Sequence, residues 1–211
     1  MAGKNFYHIS KDAKELHYDY PDGKPPIITK IIYIKSRERI DNQEDIRRFT
    51  QLKINKQTDL LLETMKILEP RLLNVEYLPN GLHVDLQDMP KLLPVSSMGD
   101  GVRQLMSLVL AISDAQGGIL LIDEIENGLH YSVITDVWKV LADAARRFDV
   151  QIFATTHSGE MIHAAHEAFK ESDHYDFRYH RLDRRKDGAI VATTYDQDTM
   201  QTSFELELEV R

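Results

Sequence analysis

Four large apolar residues, Ile119-Leu120-Leu121-Ile122, run without interruption into two acids, Asp123 and Glu124. A strand with one wet face alternates apolar and polar side chains. An unbroken run predicts instead a strand buried on both faces, inside a parallel sheet. Such a strand releases its last residues at the carboxyl edge of the sheet, where ligands of α/β folds bind. Two adjacent carboxylates there suit one task, holding a metal ion and orienting a water. Solvated acids at a strand end are the bland alternative. Gly117-Gly118 breaks the chain ahead of the strand, and Glu126-Asn127-Gly128 predicts a tight turn behind it.

The flanking segments support an α/β order. Val102, Leu105, Met106, Leu108, Val109 and Ile112 predict a helix that is apolar around most of its girth and therefore buried. Residues 131–148 predict a long amphipathic helix carrying Trp138, the only tryptophan. Residues 150–156 predict a second buried strand ending at His157, and Ser158 opens a helix to about Phe169. Helix, strand, helix, strand, helix over 101–169 is the pattern of a parallel sheet with right-handed crossovers.

Upstream, residues 1–26 are polar and broken by Pro21, Gly23, Pro25 and Pro26, with Asp22-Gly23 as a turn. Ile27 to Ile34 is rich in β-branched residues and predicts a strand. A helical pair over 42–53 and 56–68 is closed by Pro70. Val75 to Leu78 and Leu82 to Leu86 alternate around Pro79-Asn80-Gly81, a hairpin signal, with a third short strand ending near Val95. Downstream, Phe177–Leu182 and Ala189–Tyr195 flank a Lys186-Asp187-Gly188 turn, and a short acidic helix finishes the chain at Arg211. The division expected is 1–95, a strand, helical pair and hairpin, and 96–211, the core carrying the chemistry.

Composition narrows the setting. With no cysteine in 211 residues, disulfides and zinc–thiolate sites are excluded, which fits a cytoplasmic protein. No apolar run approaches the ~18 residues of a membrane span, and the amino terminus lacks a secretory core. The formal charge of −8 argues against a broadly basic nucleic-acid surface. Two local basic clusters remain, Arg37, Arg39, Arg47 and Arg48, and Arg181, Arg184, Arg185 and Lys186.

Three loops are expected at one edge of the sheet. Ser96–Arg103 places glycines and hydroxyls at the start of a buried helix, whose free N–H groups attract anions; an N-cap with flexible glycines is the plainer reading. Asp123-Glu124 divides into a magnesium ligand acting through water and a group that orients or deprotonates the attacking water. His157 follows a buried strand, placed to hydrogen-bond a γ-phosphate. His163 and His166, one helical turn apart, have metal-ligand spacing without a third ligand.

Together these loops resemble the ATP-binding-cassette-type ATPases in the wide sense, and within them the AAA-type, overcoming-lysogenisation-defect branch. Ser97-Met98-Gly99-Asp100-Gly101 resembles the signature motif, and Ile119 to Glu124 the Walker B strand with its catalytic glutamate. Glu126-Asn127-Gly128-Leu129-His130 resembles that branch's D-loop, and Thr155-Thr156-His157-Ser158 the switch-histidine loop. The order of the motifs over 96–158 makes the match specific.

The resemblance implies a P-loop-type α/β fold, a mainly parallel sheet with flanking helices plus antiparallel hairpins, ATP and Mg²⁺ as ligands, and head-to-tail pairing with a second copy or a partner ATPase subunit. Asp123 would order Mg²⁺, and Glu124 and His157 would be catalytic. Ser97, Gly99, Asp100 and Gly101, with Asn127 and Gly128 of the D-loop, would meet nucleotide. A nuclease partner or DNA, in DNA transactions or phage defence, is the implied setting. One element is missing: G-x-x-x-x-G-K-[ST] occurs nowhere in the 211 residues, and Gly3-Lys4 and Gly23-Lys24 are isolated. Gly99 also stands where the signature serine belongs if Gly101 takes the last glycine's place. The chain is thus expected to represent the C-terminal portion of such an ATPase, without its Walker A lobe. Two other readings compete, a non-catalytic dimerisation domain derived from such an ATPase, and a nuclease or metal phosphatase using Asp123, Glu124 and nearby histidines.

Overall fold

The structure, a computed structural model, describes residues 30–35 and 42–206. The expected Asp22-Gly23 turn, the first residues of the opening strand, Arg37, Arg39 and the end of the terminal helix lie outside the described residues.

A three-stranded parallel sheet lies at the centre. Its strands are β1 (Ile31–Ile34), β5 (Ile119–Ile122) and β6 (Gln151–Ala154), with β5 in the middle. Between β1 and β5 come α1 (Asn42–Ile54), α2 (Thr58–Met65), an antiparallel sheet of β2 (Leu72–Leu78), β3 (Gly81–Leu86) and β4 (Leu93–Pro94), and then α3 (Asp100–Asp114). The helix α4 (Ile134–Phe148) crosses from β5 to β6, entered through a 3-10 turn at Tyr131–Val133. After β6 come α5 (Gly159–Lys170), the hairpin β7 (Tyr179–Arg184) and β8 (Ile190–Tyr195), and α6 (Gln197–Glu205).

The helices form where the apolar spacing predicts them. On α4, Val137, Trp138, Val140, Leu141, Ala144 and Phe148 are buried, a face repeating at three and four residues. The helix stops at Asp149, which takes the left-handed conformation at φ 53°, a cap position that aspartate tolerates. Ser158 caps α5 by accepting the Met161 N–H, and Asp196 and Thr199 form a reciprocal capping box on α6. Trp138 buries its ring and donates Nε1–H to the Met161 carbonyl at 3.1 Å, tying α4 to α5.

The central sheet departs from expectation. Leu120 and Ile122 are buried in one cluster with Leu105, Val109 and Ile112 of α3 and Val137 and Leu141 of α4. Among the described residues the opposite face is left exposed. Ile31, Tyr33 and Phe153 are 56%, 53% and 48% exposed, and Ile119 and Leu121 are half-buried. The register places Tyr33, Leu121 and Phe153 side by side in one row. Among the described residues, the strand expected to be buried on both faces is therefore covered on one, because α3 and α4 pack on the same side. The second strand, also expected to be buried, is an edge strand: no described strand pairs with the far side of β6.

Half of one basic cluster is neutralised within the fold. Arg47 and Arg48 face Glu44 and the buried Asp114, with Arg47 2.5 Å from Asp114 and Lys30 2.5 Å from it on the other oxygen. The histidine pair on α5 is structural. His166 is buried, with Nδ1 2.8 Å from the Tyr175 hydroxyl and Nε2 3.1 Å from Gln201 Oε1, and His163 meets Phe204 edge-on. No cluster of three metal-ligating side chains occurs among the described residues.

Candidate functional site

The carboxyl ends of β5 and β6 meet at one edge and are cross-linked there. Asp123 N–H donates to the Ile34 carbonyl at 3.0 Å, so the acid leaves the sheet still in register with β1. Thr155, the first residue past β6, has its hydroxyl between the two acids. Its Oγ1 donates to Asp123 Oδ1 at 2.8 Å and accepts the Glu124 N–H at 2.9 Å. The Thr155 carbonyl accepts the N–H of Ile125, a side chain only 2% exposed that anchors the loop in the core.

Glu124 takes the left-handed conformation at φ 48°. A non-glycine residue there costs on the order of 1 kcal/mol, and persists only where its surroundings fix it. The fixing contacts include Thr155 on its N–H and Asn127 on its carboxylate: Asn127 Nδ2 donates to Glu124 Oε2 at 2.8 Å, and the Asn127 N–H donates to the Glu124 carbonyl at 3.0 Å. Glu126 ties in the neighbouring loop, its Oε1 accepting the His157 N–H at 2.8 Å. The other Glu126 oxygen is buried without a hydrogen-bond partner among the described residues. His157 is exposed.

The loop at 96–103 joins the same site. Val95–Ser97 is a 3-10 turn, and α3 begins at Asp100 with Gly99 as its cap at φ 88° and no side-chain cap. Ser96 and Ser97 therefore do not serve as the N-cap. Ser97, Gly99 and Asp100 are exposed. At Gly101, which has ordinary backbone angles, an added Cβ would meet nothing within 4 Å, so nothing among the described residues requires glycine there. Gln104, one turn into α3, donates Nε2–H to the Asn127 carbonyl. The expected residues thus fall into two groups. Asp123, Glu124, Asn127, Gly128 and His157 are brought together around Thr155 and Glu126, and Ser97, Gly99, Asp100 and Gly101 crown the adjoining helix.

Three residues of the site escaped the reading of the sequence. Thr155 and Glu126 lie inside recognised stretches, but their bonds run between strands and leave no spacing signal. Gln104 reaches a loop 23 positions away.

Residues 4–162 match the AAA ATPase domain family. The chain belongs to that family. It is 28% identical over 131 residues to an ATP/GTP phosphatase of Helicobacter pylori, a match covering 61% of this chain and 35% of that protein. It is 35% identical over 65 residues to an uncharacterised protein of Methanocaldococcus jannaschii, covering 31% of this chain and 57% of the other. The matches thus span about a third and somewhat over half of these relatives' lengths. Among solved structures, an SMC ATPase described for ATP-driven dimerization and DNA-stimulated activation aligns with a TM-score of 0.48 at 16% identity, over 78% of this chain and 99% of that one. An Smc head domain from Pyrococcus furiosus, bound to the C-terminal domain of ScpA, gives 0.45 at 16% identity, over 78% and 41%. Family membership makes this chain an AAA ATPase domain, and its fold is mixed α/β with a parallel sheet and helices. No helix among the described residues is long and apolar enough to cross a membrane.

Proposed function

We propose that this chain is the acid- and signature-bearing part of an ATP-hydrolysing unit, completed by a phosphate-binding loop from outside the motifs it carries. The observation that carries the reading is the single hydroxyl of Thr155 spanning Asp123 and Glu124, with His157 tied to the same edge through Glu126. Asp123 and Glu124 suit Mg²⁺, which is commonly held by one or two carboxylates and several waters. Bound there, Mg²⁺ would neutralise charge on the phosphates. Asp123 has one oxygen engaged by Thr155, which orients the carboxylate. Glu124 accepts the proton of the attacking water or aligns it for in-line attack. His157 donates a hydrogen bond to the terminal phosphate. Ser97, Gly99, Asp100 and Gly101 form the face that meets the nucleotide of a second copy, an arrangement supported by the open space at Gly101. The nucleotide also contacts the Asn127-Gly128 loop.

Among the described residues, the exposed side chains of Ile31, Tyr33 and Phe153 on one sheet face and the unpaired side of β6 support the incomplete-unit reading, since parallel sheets are ordinarily covered on both faces. A strand–loop–helix unit carrying the phosphate loop would extend the sheet at β6 and shield that face. The assay combines the full chain with such a segment and follows phosphate release from ATP–Mg²⁺. Turnover that depends on the added segment supports the proposal. A dimer whose stability in sedimentation ignores ATP–Mg²⁺, without turnover, would favour a purely structural role. Partnership with a nuclease or DNA is the setting in which such a unit would work.

A further inference from the structure

Two side chains connect the start of α3 to the Glu124 carboxylate. Gln104 Nε2 donates to the Asn127 carbonyl, and Asn127 Nδ2 donates to Glu124 Oε2 at 2.8 Å. The next residue is shaped to the same amide. Gly128 has φ 80°, and a Cβ there would run into Gln104 Oε1. The loop thus offers Gln104 an acceptor at 127 and room at 128, and any larger residue at 128 would both strain the backbone and displace the amide. Glu124 itself sits at positive φ, a conformation its neighbours must hold.

We infer that Gln104 is a positioning residue: it fixes the Glu124 carboxylate by way of Asn127, and so links the orientation of that acid to whatever engages the exposed end of α3. Gln104 follows Asp100 and Gly101 by about one turn of the same helix, whose cap is Gly99 and whose entry is the 3-10 turn that ends at Ser97. A ligand pressing on that end shifts the Gln104 amide, and the shift reaches Glu124 through one backbone carbonyl and one amide side chain. The catalytic consequence rests on the ATPase reading above; the mechanical link does not.

The test uses the full chain and two readouts. The first is NMR on the protein without nucleotide. Gln104→Met keeps the length of the side chain and removes the donor. Amide exchange at Asn127 and Leu129, whose N–H groups bond to the Glu124 and Glu126 carbonyls, is expected to rise about tenfold, which is about 1.4 kcal/mol of local opening. The Glu124 carboxyl ¹³C signal should move in the same direction as in Asn127→Ala. Exchange in α4 and α5 should stay within twofold, showing an intact fold. Gln104→Lys, which restores a donor of similar reach, should recover most of the protection. The second readout is turnover in the completed unit, where Gln104→Met should lower kcat about tenfold with KM within twofold. Asn127 and Leu129 exchange within twofold of the parent, with an unmoved Glu124 signal, would overturn the inference. A moved signal with no turnover in any variant, the parent included, would uphold the link and overturn the ATPase reading alone.

Discussion

Thr155 Oγ1 lies 2.8 Å from Asp123 Oδ1, to which it donates, and 2.9 Å from the Glu124 nitrogen, whose proton it accepts. One hydroxyl just past the edge strand β6 thus bonds the Asp123 carboxylate and the Glu124 backbone just past the central strand. A hydroxyl has one proton to give and can still accept, so a threonine fills both roles at once. Thr155→Val keeps the shape and removes both bonds. Chemical denaturation is expected to show a loss of about 1–2 kcal/mol, and turnover in the completed unit should fall at least tenfold. Thr155→Ser should retain most of both.

The Glu126–His157 bond makes a second prediction. Glu126→Ala removes the acceptor of the His157 N–H, and should raise protease cleavage within 155–158 severalfold while leaving the thermal midpoint nearly unchanged. Unaltered cleavage would show that the loop is held by other contacts.

Asp114 predicts a pH dependence. Burial by itself pushes its carboxyl up, but hydrogen bonds from Lys30 and Arg47 outweigh that and hold it below the ordinary carboxylate range. A lowered folded-state value stabilises the fold above the unfolded value of about 3.9, and the contribution is lost as pH falls through the folded one. Asp114→Asn should therefore cost roughly 1–3 kcal/mol at pH 7, the smaller end applying because Lys30 and Arg47 are half exposed. The gap from the parent should close as urea midpoints are measured from pH 5 down to below pH 3. A gap independent of pH would contradict the assignment.

The bare sheet face gives a fourth. Tyr33→Thr with Phe153→Thr keeps β-propensity and removes the exposed rings. Binding of a hydrophobic dye should drop at least twofold with the fold intact, and the doubly substituted chain should no longer be completed by a phosphate-loop segment. Unchanged dye binding would mean that the row is already covered.

The order of elements was legible because it rests on local signals. The unbroken run at Ile119–Ile122, the alternation around Asn80-Gly81 and the apolar face of α4 each impose a period on a short window. The pairing of Asp123, Glu124 and His157 at one edge was legible too, since parallel strands deliver their carboxyl ends together. Burial was not. The same run fits a strand covered on one face or on both, and only the placement of α3 and α4 on one side decides between them. The pairing of the basic residues was not legible for a related reason: nothing near Arg47 and Arg48 in sequence announces that Asp114, far along the chain, is folded against them. His163 and His166 have metal spacing, yet the rings are occupied by Phe204, Tyr175 and Gln201.

The central claim is that Glu124 acts on the water that attacks ATP, and it is tested most directly by steady-state phosphate release from the completed unit carrying Glu124→Gln. The substitution keeps the shape of the side chain and removes its basicity. The expected result is a loss of about 10²–10⁴-fold in kcat, with ATP–Mg²⁺ binding retained. Turnover within twofold of the parent would contradict the claim.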